Sequence, residues 1–130
     1  MKGNLKPGLE QELERVVTRE ISVTGLNDVP PVLATAEMIR LMEMAAHHIL
    51  QPFYEEGESS VGTKVDVSHT AATPLGMRVW ARARLTEVDG KRCIFDVTAF
   101  DEKEEVGRGS HERFVIEVAR FRSRMEKKIQ

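Results

Sequence analysis

His69 closes an apolar alternation of Val65, Val67, His69 and Ala71, with Lys64, Asp66, Ser68 and Thr70 falling between them. At the period-2 spacing of a strand the imidazole shares the apolar face. A histidine there is either a packed core residue or a working one. Ala71, Ala72 and Thr73 follow it and leave space beside the ring, and Pro74 ends backbone pairing, so a slender ligand has room to approach. Glu43 is the second unusual placement, a carboxylate among the apolar residues of LMEMAA at the border of a helix's polar stripe. It is either a solvated flank residue or a group held partly out of water between two subunits, as general-base work requires. Thr35 stands eight residues earlier, near the start of the same helix. A hydroxyl there ordinarily caps the helix or fills space. Beside helix-terminal N–H groups it can also help hold a developing oxyanion.

Other standard chemistries lack the residues to carry them. The chain has no G-x-S-x-G nucleophile elbow, no phosphate-binding glycine loop, and neither H-E-x-x-H nor paired cysteines at metal spacing. His47 and His48 are adjacent and diverge by about 100° on a helix, a poor chelating pair, so no metal is expected. Cys93, the single cysteine, has no internal disulfide partner, and it alternates with Phe95 and Val97 as a packed strand residue would. The arginines at 78, 82, 84, 92 and 108 read most simply as a solvated sheet edge, with nucleotide phosphate contact as the alternative.

Positioning His69 and Glu43 takes a sheet and a helix. Residues 32–50, VLATAEMIRLMEMAAHHIL, are free of Gly and Pro, with prolines at 30 and 31 before them and Pro52 just beyond. This predicts the one convincing helix. Met38, Leu41, Met42, Ala45 and Ile49 share one face, and Glu37, Arg40, His47 and His48 the other. Met77 to Thr86 alternates as a long strand, Asp89-Gly90 supplies a tight hairpin turn, and Ile94 to Phe100 reads as the returning strand. After a turn at 101–105, Phe114, Ile116 and Val118 repeat on one face of a third strand, with Gly107 and Gly109 marking a bulge or a close backbone approach. Stretches 13–23 and 63–71 supply two further strands. Five strands and one helix in this order predict an α+β hotdog fold, an antiparallel five-stranded sheet wrapped around one long central helix. No repeat or linker appears, so residues 1–130 are expected to form a single domain. One sheet layer and one helix leave an edge strand and apolar surface uncovered, which predicts a homodimer or higher homo-oligomer.

The residues in question also match a known pattern. The stretch T-A-E-M-I-R-L-M-E, the segment V-S-H-T-A-A-T-P and the closing G-R-G-S-H-E-R-F-V-I resemble the fluoroacetyl-CoA thioesterase group of hotdog proteins, across residues 32–118. The resemblance implies that Thr35, Glu43 and His69 form the catalytic set, that Gly62 in S-S-V-G-T lies beside the substrate, and that Arg113 lies near the site. It implies hydrolysis of a small acyl-CoA thioester with coenzyme A as part of the substrate and no separate cofactor. Glu43 would activate water or attack directly. His69 would position that water or handle the proton passed to the leaving thiol, and Thr35 would orient the carboxylate or the carbonyl. The region ahead of the helix, GLNDVPPVLAT, has no aromatic residue where the fluoroacetate-specific enzyme has gating phenylalanines, so strong fluoroacetyl selectivity is not expected.

Composition limits the partners. Nineteen basic against twenty-one acidic residues give a formal charge of −2, too little field to hold the chain on nucleic acid or an anionic membrane. No apolar run reaches the roughly 20 residues that span a bilayer, and a soluble, cytoplasmic protein is expected. Two other functions fit the same fold: a hydratase or dehydratase acting on a 3-hydroxyacyl thioester, and a non-enzymatic acyl-CoA binding module.

Overall fold

The computed structural model describes residues 1–130. Its elements run β1 (Glu10–Val16), β2 (Ser22–Val23), β3 (Val32–Leu33), α1 (Thr35–Leu50), β4 (Glu58–His69), β5 (Arg78–Asp89), β6 (Arg92–Asp101), β7 (Glu105–Glu117) and α2 (Val118–Ile129). Five strands form one sheet in the order β1-β5-β6-β7-β4, every neighbouring pair antiparallel. α1 packs on its concave face, the hotdog arrangement the sequence predicts.

Alternation builds the core. Val79, Ala81, Ala83 and Leu85 of β5 and Cys93, Phe95, Val97 and Ala99 of β6 are buried, facing the buried Met38, Leu41, Met42, Ala45, Ala46, Ile49 and Leu50 of α1. Each large aliphatic or aromatic side chain so buried contributes roughly 1.5–3 kcal/mol, which makes this helix–sheet contact the main source of stability. Small residues set how close the helix can come. Ala81 pairs with Ala99 at the sheet centre. A Cβ on Gly107 would lie 2.5 Å from Met38 Sδ and 2.8 Å from the Ser68 carbonyl oxygen, while one on Gly109 would strike the Asp66 carbonyl oxygen. Both glycines therefore mark close backbone approaches. Cys93 is fully packed, and burial pushes its thiol up to about 11, so it stays protonated at neutral pH.

Several elements differ from the expected bounds; β4 runs Glu58–His69 where a strand over 63–71 was expected. The stretch expected as one strand over 13–23 breaks after Val16, because Val17 turns into the core and Arg19–Ile21 forms a 3-10 turn. The helix begins at Thr35, since Val32–Leu33 follows two prolines in extended conformation and pairs with Ser22–Val23. Over the second half of β7 the buried residues are His111, Arg113 and Val115, whereas Phe114 points outward at 42 % exposure and Val118 already belongs to α2. The apolar alternation of Phe114, Ile116 and Val118 thus marks the outer face rather than the core. α2 was not expected as a helix, although Val118, Phe121, Met125 and Ile129 recur at helical spacing. No helix is long and apolar enough to cross a membrane.

Candidate active site

A β-bulge decides which side chains of β4 face the helix. The register of β4 against β7 shifts between Gly62 and Lys64, leaving Thr63 as the extra residue. Before the bulge the even-numbered Ser60 and Gly62 face α1, and after it the odd-numbered Val67 and His69 do. In a regular strand, residues 62 and 69 would lie on opposite faces, because they are an odd number apart. The bulge puts both on the helix side, Gly62 near the middle of the strand and His69 at its end.

At one end, Thr35 Oγ1 and His69 Nδ1 lie 2.8 Å apart in a hydrogen bond. Ala34 is the N-cap of α1 and Thr35 its first residue, and no side chain caps the helix, so the threonine hydroxyl is committed to the histidine. Burial lowers the His69 pKa below the ordinary imidazole value, opposed by the Ala71 backbone, so the ring is neutral at pH 7. Its Nε2 atom is buried and has no hydrogen-bond partner. A buried ring nitrogen without a partner is costly, and Glu37 Oε2 is the other buried side-chain atom in the same position. The pair opens into a groove of about 310 Å³ lined by Val23, Leu26, Val29 and Val32 of the segment ahead of α1, with Ala71 and Ala72 opposite. The small residues after His69 keep this space clear. Thr73 does not line it, being buried with its hydroxyl donating to Asp101 Oδ2 at 2.9 Å.

Near the middle, Glu43 is 35 % exposed and its carboxylate lies directly over Gly62, where a Cβ would collide with Oε2. Arg113 Nη1 stands 3.8 Å from Glu43 Oε2, and His111 Nε2 stands 4.0 Å from the same oxygen. His111 Nδ1 donates to the Lys64 carbonyl at 2.9 Å, which leaves Nε2 as the acceptor for Arg113 Nη1 at 3.3 Å. The imidazole is therefore neutral, and burial, the largest influence on it, lowers its pKa as well.

The structure thus pairs Thr35 with His69, and Glu43 with Gly62 and Arg113, but it does not join the two groups within one chain. Eight helical residues separate Thr35 from Glu43, about 12 Å along the axis. His111 escaped the sequence reading, although a polar residue two before Arg113 and four before Val115 on one strand face is a visible period-2 signal. No group of three or more His, Cys, Asp or Glu residues is placed to hold a metal ion.

A five-stranded sheet around one helix is the hotdog fold, and here it carries a hydroxyl–imidazole pair and a carboxylate along the helix with an apolar groove beside the pair. Residues 17–119 match the family model described as fluoroacetyl-CoA-specific thioesterase. The fluoroacetyl-CoA thioesterase of Streptantibioticus cattleyicolor is 43% identical over 101 residues, covering 78% of this chain and 73% of that protein. The solved structure of the fluoroacetyl-CoA thioesterase FlK superposes with a TM-score of 0.91 at 36% identity, over 96% of this chain and 98% of that one. A point mutant of FlK in complex with fluoroacetate and CoA matches with a TM-score of 0.84 at 38% identity, over 90% of this chain and 99% of that one. The chain belongs to the fluoroacetyl-CoA-specific thioesterase family.

Proposed function

We propose that the protein hydrolyses a small acyl-CoA thioester to the free acid and CoA, at a site that two protomers share. The observation that carries this reading is the buried His69 Nε2, unpartnered beside Thr35 at the mouth of an apolar groove, while Glu43 waits about 12 Å away along the same helix. β4 is a free edge of the sheet, residues 62–66 are exposed along it, and Val65 is 39 % exposed although it follows the helix-side alternation. Antiparallel pairing of two such edges, about an axis midway between Gly62 and His69, sets His69 of each copy opposite Gly62 of the other. Glu43, seated on Gly62, then faces the Thr35–His69 pair across the interface.

The chemistry follows from the hydrogen bonds. With its proton on Nδ1, His69 donates to Thr35 Oγ1, which frees the threonine O–H for the thioester carbonyl oxygen. The helix N-terminus adds its positive dipole end there, so negative charge developing on that oxygen is stabilised. Water held by His69 Nε2 attacks the carbonyl carbon while Glu43 takes its proton. Collapse of the tetrahedral intermediate breaks the C–S bond, and the thiolate of CoA leaves with the proton Glu43 has taken.

The acyl group is set by the groove. Leu26 and Val29 stand 55 % and 51 % exposed in its wall, aliphatic and without an aromatic ring to close over a fluoromethyl group. Acetyl, propionyl and short branched acyl-CoAs should therefore be hydrolysed with kcat/KM comparable to fluoroacetyl-CoA. A thiol-release assay over that panel tests both levels of the reading. Loss of substrate without free thiol would favour a hydratase, CoA binding without turnover would favour a binding module, and a fluoroacetyl preference of several orders of magnitude would overturn the assignment of the groove.

A further inference from the structure

Arg113 is buried, and three of its nitrogens are already spoken for. Nε donates to Ser60 Oγ at 2.8 Å, Nη2 to the Ser60 carbonyl at 2.9 Å, and Nη1 to His111 Nε2 at 3.3 Å. One residue, Ser60, thus grips the guanidinium by both its side chain and its backbone. Ser60 Oγ is in turn 2.6 Å from the Tyr54 hydroxyl, and that hydroxyl is 3.0 Å from His47 Nδ1. The result is an unbroken chain, His47–Tyr54–Ser60–Arg113, which starts on the turn of α1 next to Glu43's own and ends 3.8 Å from Glu43 Oε2.

We propose that Ser60 and Tyr54 are positioning residues for hydrolysis: they lock the Arg113 guanidinium in the one orientation that aims Nη1 at the Glu43 carboxylate over Gly62. This rests on the hydrolase reading above, in which Glu43 takes the proton from water. A guanidinium has five N–H donors in a fixed plane, so fixing Nε and Nη2 on Ser60 fixes where Nη1 points. Glu43 is half-exposed and approaches no closer than 3.8 Å, so it does not hold Arg113 in place by itself. Tyr54 and Ser60 share one short hydrogen bond, which limits the serine hydroxyl to the rotamer that accepts from Arg113. His47 closes the chain without adding charge, since burial first, and the nearby Arg113 and His48 next, lower its pKa. A purely structural purpose would not need a buried cation in the row, because an apolar pair of similar volume packs as well.

The test compares Ser60→Ala, Ser60→Thr and Tyr54→Phe with Arg113→Lys, and with each of the first three combined with Arg113→Lys, in the full-length protein. Ser60→Ala should lower kcat roughly 10-fold, about the worth of a hydrogen bond to a charged group, with KM for the acyl-CoA changed less than about 2-fold. Ser60→Thr, which keeps the hydroxyl, should recover most of kcat, and Tyr54→Phe should fall between. In the Arg113→Lys background, Ser60→Ala and Tyr54→Phe should each have almost no further effect on kcat, because the group they aim is already gone, while their effects on Tm remain additive. Full kcat in folded Ser60→Ala, or kcat losses that add to that of Arg113→Lys, would overturn the inference and leave the hydrolase reading intact. Absence of thiol release from the unmodified protein on every acyl-CoA would overturn both.

Discussion

Mixing two inactive variants should restore activity. Within one chain Glu43 lies about 12 Å along α1 from Thr35, and Gly62 lies seven strand residues, about 23 Å, from His69. Reacting groups must come within about 3–3.5 Å of each other, so in the shared site proposed above the Glu43 and His69 that serve one carbonyl come from different chains. Each of Glu43→Gln and His69→Ala alone should lower kcat by roughly 10²-fold or more, the usual worth of a general acid or base. When the two variants are unfolded together in equal amounts and refolded, half of the dimers are mixed by random association. A mixed dimer has one site with neither residue and one site with both. Activity should therefore rise to about a quarter of the unmodified enzyme's, some 25-fold above either parent on the estimate above. Free thiol released per unit time is the readout, with native mass spectrometry confirming the mixed species. A mixed dimer no more active than its parents would place both residues in the same chain's site and refute the shared-site mechanism, as would a fully active monomer.

Two further outcomes follow from the geometry. Gly62→Ala should push the Glu43 carboxylate off its seat and cost kcat roughly 10²-fold, yet change stability by no more than about 1 kcal/mol, because what the new Cβ meets first is the mobile end of a half-exposed side chain; a folded variant with full thiol release would show that Glu43 need not sit there. Stability should fall as pH drops from about 6.5, since His47, His69 and His111 all have their pKa lowered in the fold, so below that value the unfolded chain binds protons that the folded one refuses, and this contribution is complete only above it. The lowered carboxylates Glu58, Glu105 and Glu112 act in the same direction but only below about 4.5, so urea unfolding at pH 8, 6.5 and 5.5 isolates the histidines, and a flat or rising stability over that interval would contradict the assignment.

The fold was legible where one physical rule acted alone. The helix face of Met38, Leu41, Met42, Ala45 and Ile49 and the alternation from Val79 to Leu85 are repeats with a single period, and all of these residues are buried. The turn of β5 into β6 was signalled by Gly90, which adopts φ 61°. Reading failed where two rules competed on the same residues. Val16 and Val17 continue a strand pattern, but Val17 is needed in the core beneath the turn. Phe114, Ile116 and Val118 alternate as a core face should, yet the buried face belongs to His111, Arg113 and Val115, because the polar network around Glu43 claims it. A rule that sends apolar residues inward has no means of seeing a cation held inside by hydrogen bonds.

The site shows the same limit in a sharper form. Periodicity alone sets Val65, Val67 and His69 on one side of β4 and Gly62 on the other, so from spacing the glycine and the histidine cannot serve one helix. A single extra residue, Thr63, reverses the parity, and nothing in S-S-V-G-T-K-V announces it except the glycine that precedes it. That glycine is needed for a different reason, since Glu43 occupies the volume a side chain would take. The bulge and the glycine therefore act together: the first turns the upstream half of β4 toward α1, and the second makes room there for the carboxylate. Were Thr63 instead paired in register, the strand would be regular and Gly62 and His69, seven residues apart, would fall on opposite faces. Either Ser60 would then lose Arg113 or His69 would lose Thr35, so this one position, which touches neither half-site, ties both to the same sheet.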